Sequence, residues 1–325
     1  MAPRFVAVAE VADGALTRLS TEVATLARTL AEASGGTAVG LVVDADPAPA
    51  AAELAGFMAQ VIAVSAPATA NEAWAPHAAA EVGRLIDDGA THVLAGASTD
   101  GRDLAGMVVG RWTWGLLANA TAVTWGGDGL VAEATVLGGK AITRSAFTGA
   151  AGVVTVRPNA TTAEPAAAAG SVEPRAAAAG AGASSVAVLD RVAEAGAEAS
   201  LEEARIVVVG GRGVGSPEGF AVVTELASLL GGVVGATRAS VDAGWIPYAR
   251  QIGQTGKVVK PSLYLGLGVS GAMQHRVGMQ SAEAIVIVNR DPDAPIAEIA
   301  DLFVVGDLFE VGPALVAELR SRRGS

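Results

Sequence analysis

Arg205-Ile-Val-Val-Val-Gly210, running into Gly211-Arg-Gly-Val-Gly-Ser216, is the stretch on which the fold turns. An isoleucine and three valines bounded by glycine read as a strand buried on both faces. Such a strand needs helices over both sides of its sheet, the arrangement of a parallel α/β domain. The glycine-rich run lies where that strand hands over to a helix predicted from 217 to 230. Loops in this position hold ligands in doubly wound folds. The spacing departs from G-x-G-x-x-G, because Ser216 stands where the third glycine belongs, and no acidic residue follows at a strand end about 20 residues on. Alone, the loop fits a ligand site and a tight turn needing positive φ equally well. Arg212 is its one feature that favours an anionic ligand.

Downstream, strands are predicted over 233–235, 263–267, 284–288 and 303–305, with helices from about 271 and from 308. Strands alternating with helices at this spacing predict a parallel sheet. The polar loops fall near the strand ends: Thr237-Arg238-Ala-Ser240-Val-Asp242, Gln251-Ile252-Gly253-Gln254-Thr255-Gly256-Lys257, Gly266-Leu-Gly268-Val-Ser270-Gly271-Ala272-Met273-Gln274-His275 and Val288-Asn289-Arg290-Asp291. A large extended ligand with phosphate, hydroxyl and ring-edge groups would use such a set. Gly253 to Lys257 is not a phosphate loop of the Walker type: the spacing is short and Val258 replaces the magnesium-binding hydroxyl. Gly271 opens a helix, so the N–H groups of Ser270, Gly271 and Ala272 are placed for an anion, with His275 one turn in.

Upstream, strands are predicted over 5–9, 38–43, 61–64 and 92–96, and helices over 17–33, 77–88 and 103–117. Segments 122–125, 129–137 and 152–157 read as meandering strands added to an α/β domain. From Thr162 to about Ser200 the chain is mostly Ala, Gly, Glu, Ser and Pro, with 186–192 as one candidate strand and Ala176 to Ser185 of low complexity. The expected organisation is therefore an N-terminal α/β domain over 1–195, including a linker at about 162–203, and a second domain over 204–325. Both are doubly wound, the second on a parallel sheet.

Composition removes several function classes. The chain of 325 residues has no cysteine, which excludes disulfides, thiolate nucleophiles and Cys-ligated metals. Its three histidines, His77, His92 and His275, are too far apart for a metal-binding pair, and His77 and His92 read as structural. A formal charge of −11 argues against nucleic acid. No run of about 18 apolar residues predicts a membrane span, and the N-terminus reads as a first strand and not a leader, so a cytoplasmic location is expected. Trp112 and Trp114 read as packing or interface residues.

Six motifs in order resemble the FAD domain of electron transfer flavoprotein alpha subunits. They are Gly-Gly-Arg-Gly at 210–213, Thr-Arg-Ala-Ser-Val-Asp-Ala-Gly at 237–244 and Gln-Ile-Gly-Gln-Thr-Gly-Lys at 251–257. Gly-Val-Ser-Gly-Ala-Met-Gln-His at 268–275, Asn-Arg-Asp-Pro-Asp-Ala-Pro at 289–295 and Gly-Asp-Leu-Phe at 306–309 complete the series. Val8-Ala-Glu10, Gly96-Ala-Ser98 and Gly138-Gly-Lys140 resemble family positions in the first domain. The resemblance implies FAD in the second domain, AMP in a partner beta subunit, and a heterodimer that carries electrons and is not itself an enzyme. Donors would be acyl-CoA or related dehydrogenases, as in fatty acid beta-oxidation, and the acceptor a membrane quinone reductase.

Residue by residue, it implies Arg212 near the pyrophosphate and ring, and Arg238 over the flavin face with Thr237 before it. Thr255 would meet the N5 edge, with Ile252, Gly253 and Gln254 beside it. Ser270 and Gln274 would provide phosphate and ribityl contacts, with Gly271, Ala272 and Met273 between them also binding the cofactor. A protonated His275 would reach O2, and Asn289, Asp307 and Leu308 would lie near the adenosine. The competing readings are a stand-alone flavin or nucleotide-dependent oxidoreductase, which would need an acid–base pair that does not stand out, and a non-catalytic nucleotide sensor.

Overall fold

The computed structural model describes residues 2–12, 14–127, 129–137, 141–177, 186–190, 201 and 204–323. The chain divides into two compact units, 1–192 and 193–325.

The first unit opens with β1 (Arg4–Ala9) and a short ribbon of β2 (Val11–Ala12) and β3 (Ala15–Leu16). Helix α1 (Arg18–Ser34) follows, capped by the Thr17 side chain, which accepts from the Ser20 N–H. A cap of this kind is worth about 1 kcal/mol. Gly35 ends the helix in the left-handed region (φ 66°), where glycine alone is unstrained. Next come β4 (Thr37–Asp44), α2 (Ala48–Leu54), β5 (Gln60–Ser65), α3 (Trp74–Asp87), β6 (His92–Gly96) and α4 (Thr99–Trp112). Beyond them lie β7 (Gly115–Ala120), β8 (Ala122–Gly126), β9 (Gly129–Val136), β10 (Ala141–Ala146), β11 (Gly152–Val156) and β12 (Ser171–Ala176). Seven of these strands form one parallel sheet in the order β12-β5-β4-β1-β6-β11-β7, while β8, β9 and β10 form an antiparallel sheet. Leu26, Leu30 and Leu54 fill the core on one face of the large sheet, and Val82, Leu85 and Leu104 on the other.

Strand order turns between β1 and β6, and there the sheet is closed by Glu10. Its Oε1 accepts the Ser98 O–H at 2.7 Å, and the same Ser98 oxygen accepts the Gly101 N–H that starts α4. Burial, opposed by the Ser98 bond and aided by Asp100, lifts the Glu10 carboxyl to about 7. His92 is a core residue: it stacks on Phe5, meets the edge of Trp125, and burial lowers it to about 4. His77 pairs with Glu72 at 2.9 Å. Trp112 and Trp114 pack against the core, with the Trp112 ring over Gly83.

Several sequence expectations change here. The helix expected over 103–117 begins at Thr99, because Ser98 caps it, and ends at Thr113 in the left-handed region, so 115–117 belong to β7. The helix expected from His77 begins at Trp74. Strand β11 joins the large parallel sheet and not a meander. Within the expected linker, Ser171–Ala176 is an edge strand paired in parallel with β5. Its Pro174 and exposed charges hid it, and a sheet edge tolerates both. Val186–Asp190 carries one bridge, Ala187 to Glu72. Residues 178–185, 191–200 and the motif at 138–140 lie outside the described residues.

The second unit contains β13 (Ile206–Gly210), α5 (Phe220–Leu230), β14 (Val233–Ala236), α6 (Arg238–Asp242), β15 (Leu263–Leu267), α7 (Met273–Arg276), β16 (Ile285–Asn289), β17 (Leu302–Val305) and α8 (Leu308–Arg323). The sheet is parallel in the order β14-β13-β15-β16-β17. Val208, Leu226 and Leu265 face the α5 and α8 side, and Val207, Val209, Tyr264 and Ile287 the other. Strand order reverses between β13 and β15, so the crevice for a ligand opens beyond their carboxyl ends. The helix expected from about 271 is a single turn, too short to gather an anion at its start. Among the described residues no helix is long and apolar enough to cross a membrane, and no cluster of side chains would hold a metal ion.

Candidate functional site

The floor of that crevice is backbone against backbone. Gly211 N–H donates to the Leu267 carbonyl at 2.9 Å, and Gly213 N–H to the Gly268 carbonyl at 3.1 Å. A Cβ on Gly211 would lie 2.2 Å from the Gly268 oxygen, and one on Gly213 would lie 2.8 Å from the Gly268 Cα. The glycines after β13 are therefore required by the close approach of two loops. Gly211, at φ −90°, has no need of a left-handed conformation.

Above this floor lies a cavity of about 760 Å³, within the range of about 300–1,000 Å³ usual for cofactor sites. Five chain segments wall it. Arg212 comes from the loop after β13, and Thr237 and Arg238 from the loop after β14. Ile252, Gly253, Gln254 and Thr255 come from the irregular segment before β15. Ser270, Gly271, Ala272, Gln274 and His275 follow β15, and Asn289 ends β16. Asp307 and Leu308 line a separate hollow of about 70 Å³, which shares Gly213, Gly268, Asn289 and Arg290 with the large one. Met273 lines neither and is half exposed.

Each wall is held from behind. Gly253 adopts φ 144°, open to glycine, and a Cβ there would meet the Gln274 carbonyl at 2.8 Å. Gln254 N–H donates to that carbonyl at 2.7 Å, tying the 251–257 segment to the loop after β15. Gln251 is buried, and its side-chain amide donates to Thr255 Oγ1 at 3.1 Å. With that oxygen accepting, the Thr255 O–H is left to be given to an acceptor in the cavity. Tyr248 O–H holds the Thr255 carbonyl. Asn289 spends its side chain on structure, donating to the Val269 carbonyl at 2.8 Å and accepting from the Asp291 N–H at 3.0 Å. Asp307 caps α8 through the Phe309 N–H, and Leu308 packs in the core.

The charges at the wall are Arg212, Arg238 and Arg290 against Asp242 and Asp291. Arg238 lies 3.2 Å from Asp242, one turn along α6, but both side chains are mostly exposed. Such a pair is worth little, and a ligand group competes for the guanidinium at small cost. Arg290, Gln251, Gly213 and Asp291 were absent from the expected site. Their signal lay in the quoted loops: Gln251 and Arg290 stand inside motifs already singled out, beside residues that were chosen.

His275 corrects an expectation. Its Nδ1 lies 2.9 Å from the Ile252 carbonyl, so Nδ1 carries the proton, and its Nε2, 2.7 Å from the Tyr264 hydroxyl, accepts. Burial lowers the ring to about 4, against the small raising effect of the Ile252 bond. Both nitrogens are thus engaged within the chain, and burial opposes the protonated state expected from the sequence.

Two family profiles match the chain. Residues 5–181 match the electron transfer flavoprotein domain, and residues 200–280 match the electron transfer flavoprotein FAD-binding domain. The chain is 43% identical over 315 residues to the electron transfer flavoprotein subunit alpha of Mycobacterium tuberculosis strain H37Rv, covering 97% of this chain and 98% of that one. It is 35% identical over 321 residues to the subunit of the same name from Bacillus subtilis strain 168, covering 98% of each. Protein FixB of Bradyrhizobium diazoefficiens is 39% identical over 240 residues, or 71% of this chain and 64% of that protein.

Proposed function

The chain belongs to the electron transfer flavoprotein alpha-subunit family, and on that premise we propose that it carries electrons between other proteins, on FAD held in the cavity over β13 and β15. The observation that carries this reading is the cavity itself. It is walled by five chain segments, with hydroxyl and guanidinium groups at its rim and a floor where two loops approach too closely for any side chain. FAD supplies a ring that accepts and releases electrons singly. The chain's residues bind and orient it. Arg212, Ser270 and Gln274 would hold its phosphates and ribityl chain, and Asn289 with Asp307 and Leu308 would bound the adenosine end. Arg238, which follows Thr237 at the start of α6, would bring its charge to the ring, and Thr255 would offer its O–H to it. Positive charge from the arginines favours added electron density on the ring.

The physiological unit in this reading is a heterodimer with a beta subunit, which carries AMP. The dimer takes electrons from acyl-CoA or related dehydrogenases and gives them to a membrane quinone reductase. The test is to purify the chain with its beta subunit and add a dehydrogenase with its acyl-CoA. Bleaching of the flavin absorbance that depends on the dehydrogenase, followed by reoxidation that depends on the quinone reductase, supports the carrier. A complex that oxidises a small substrate with no second protein overturns it in favour of a stand-alone oxidoreductase.

A further inference from the structure

Tyr264 belongs to none of the cavity's loops. It lies on β15 at the centre of the five-stranded sheet, 0% exposed, opposite Val207 of β13 and Ile285 of β16. Gly266, two residues on and therefore on the same face of the strand, leaves room for its ring: a Cβ there would sit 3.0 Å from Tyr264 Cε1. A buried hydroxyl needs a partner, and the one that the structure gives Tyr264 is Nε2 of His275, at 2.7 Å. Beyond His275 the same line of bonds reaches the Ile252 carbonyl, in the segment that carries Gly253, Gln254 and Thr255.

We propose that Tyr264 is a positioning residue for the FAD site: its O–H and the Ile252 carbonyl clamp the His275 ring in one orientation, with a proton on Nδ1. The carbonyl can only accept, which fixes the proton on Nδ1. The tyrosine then donates to Nε2, and donation to a neutral imidazole nitrogen opposes its protonation. Rotating the ring toward the cavity would break both bonds and strand a fully buried hydroxyl. The clamp also works in the other direction, because it anchors the 252–255 segment to the central strand through Ile252. Positive potential at the cavity wall therefore comes from Arg212, Arg238 and Arg290.

The groups around the ring agree. Tyr264 faces it from β15, and Ile252 presents only backbone. Arg276 beside it is turned to Glu298 at 2.8 Å, and Lys257 stands across a bridge from Ile252. The remaining charges lie on the cavity wall, at Asp242 and Asp291 besides the three arginines. Burial, and not a neighbouring charge, dominates the lowering of the ring.

The orientation can be read by nitrogen NMR on the full chain labelled in its three histidines, with His77→Gln and His92→Gln variants for assignment. His275 is expected to show a protonated Nδ1 and an accepting Nε2, unchanged between about pH 8 and about pH 5. Tyr264→Phe is expected to shift the His275 Nε2 resonance, because the donated bond is lost, and to weaken FAD binding as the ring and the 252–255 segment lose their anchor. A His275 that titrates near the ordinary histidine value in the unaltered chain, or carries its proton on Nε2, overturns the proposal whether or not the variant folds. So does a folded Tyr264→Phe chain with unchanged His275 shifts. The inference rests on the FAD reading for its purpose but not for its NMR readout: FAD that binds neither chain at any pH overturns the cofactor site and leaves the clamp standing.

Discussion

At the scale of single residues, the site is governed by groups that stand one step back from the cavity. Gln251 donates to Thr255 Oγ1 and so directs the Thr255 O–H outward. Gln251→Leu removes a hydrogen bond worth about 1 kcal/mol and should weaken FAD binding roughly five-fold, measured by equilibrium dialysis of the complex. An affinity unchanged within error would show that Thr255 needs no such support. Glu10 offers a second test, in the other unit. Its carboxyl is raised to about 7, against 4.5 for the ordinary group, chiefly by burial. The folded chain thus holds a proton that the unfolded chain releases. The associated stability is full below the ordinary value and is lost as pH rises through about 7. Between these limits unfolding should become easier by an amount on the order of 3 kcal/mol, and Glu10→Gln should flatten that trend. Urea unfolding followed by tryptophan fluorescence reports it, since four of the five tryptophans (Trp74, Trp112, Trp114, Trp125) lie in the first unit. Parallel pH profiles for both chains would rule Glu10 out as the cause.

At the scale of elements, two glycines that look alike in sequence have different duties. Gly211 faces the Gly268 carbonyl across a gap that admits no Cβ, whereas Gly215 has open space and a left-handed φ of 77°. Gly211→Ala should cost about 3 kcal/mol and loosen FAD binding, because backbone must move. Gly215→Ala should cost about 1 kcal/mol and leave binding nearly intact. Paired denaturation and FAD titrations would separate them, and equal costs would contradict the close-approach account. This difference also shows what the sequence could convey. Strands such as Ile206–Gly210 and His92–Gly96 were legible because dense β-branched or apolar runs have few alternatives. β12 was not, because an edge strand is specified by pairing with β5 and not by its own side chains. The site's loops were legible as motifs at strand ends, since glycine and polar residues cluster there. The state of His275 was not, because it depends on Tyr264 eleven residues upstream and on burial that no local pattern encodes.

At the scale of the whole molecule, the cavity draws on loops spread from Arg212 to Ala294, so a single ligand joins segments that are distant in sequence. FAD at about 100 times its dissociation constant should stabilise the structure that binds it by about 2.7 kcal/mol. Hydrogen exchange should therefore slow up to about 100-fold in peptides covering 210–216, 251–257, 268–276 and 289–291. Protection that missed these peptides and appeared elsewhere would move the site. The same spread bears on the order in which the chain is built. β13 cannot meet β15 until a segment of some fifty residues has been made and folded back, and parallel pairing at such separation is slow. A newly synthesised chain thus has no place for flavin until nearly all of the second unit has emerged. Uptake of the cofactor is therefore a late event in the making of the chain, after the segments that wall its site have been brought together.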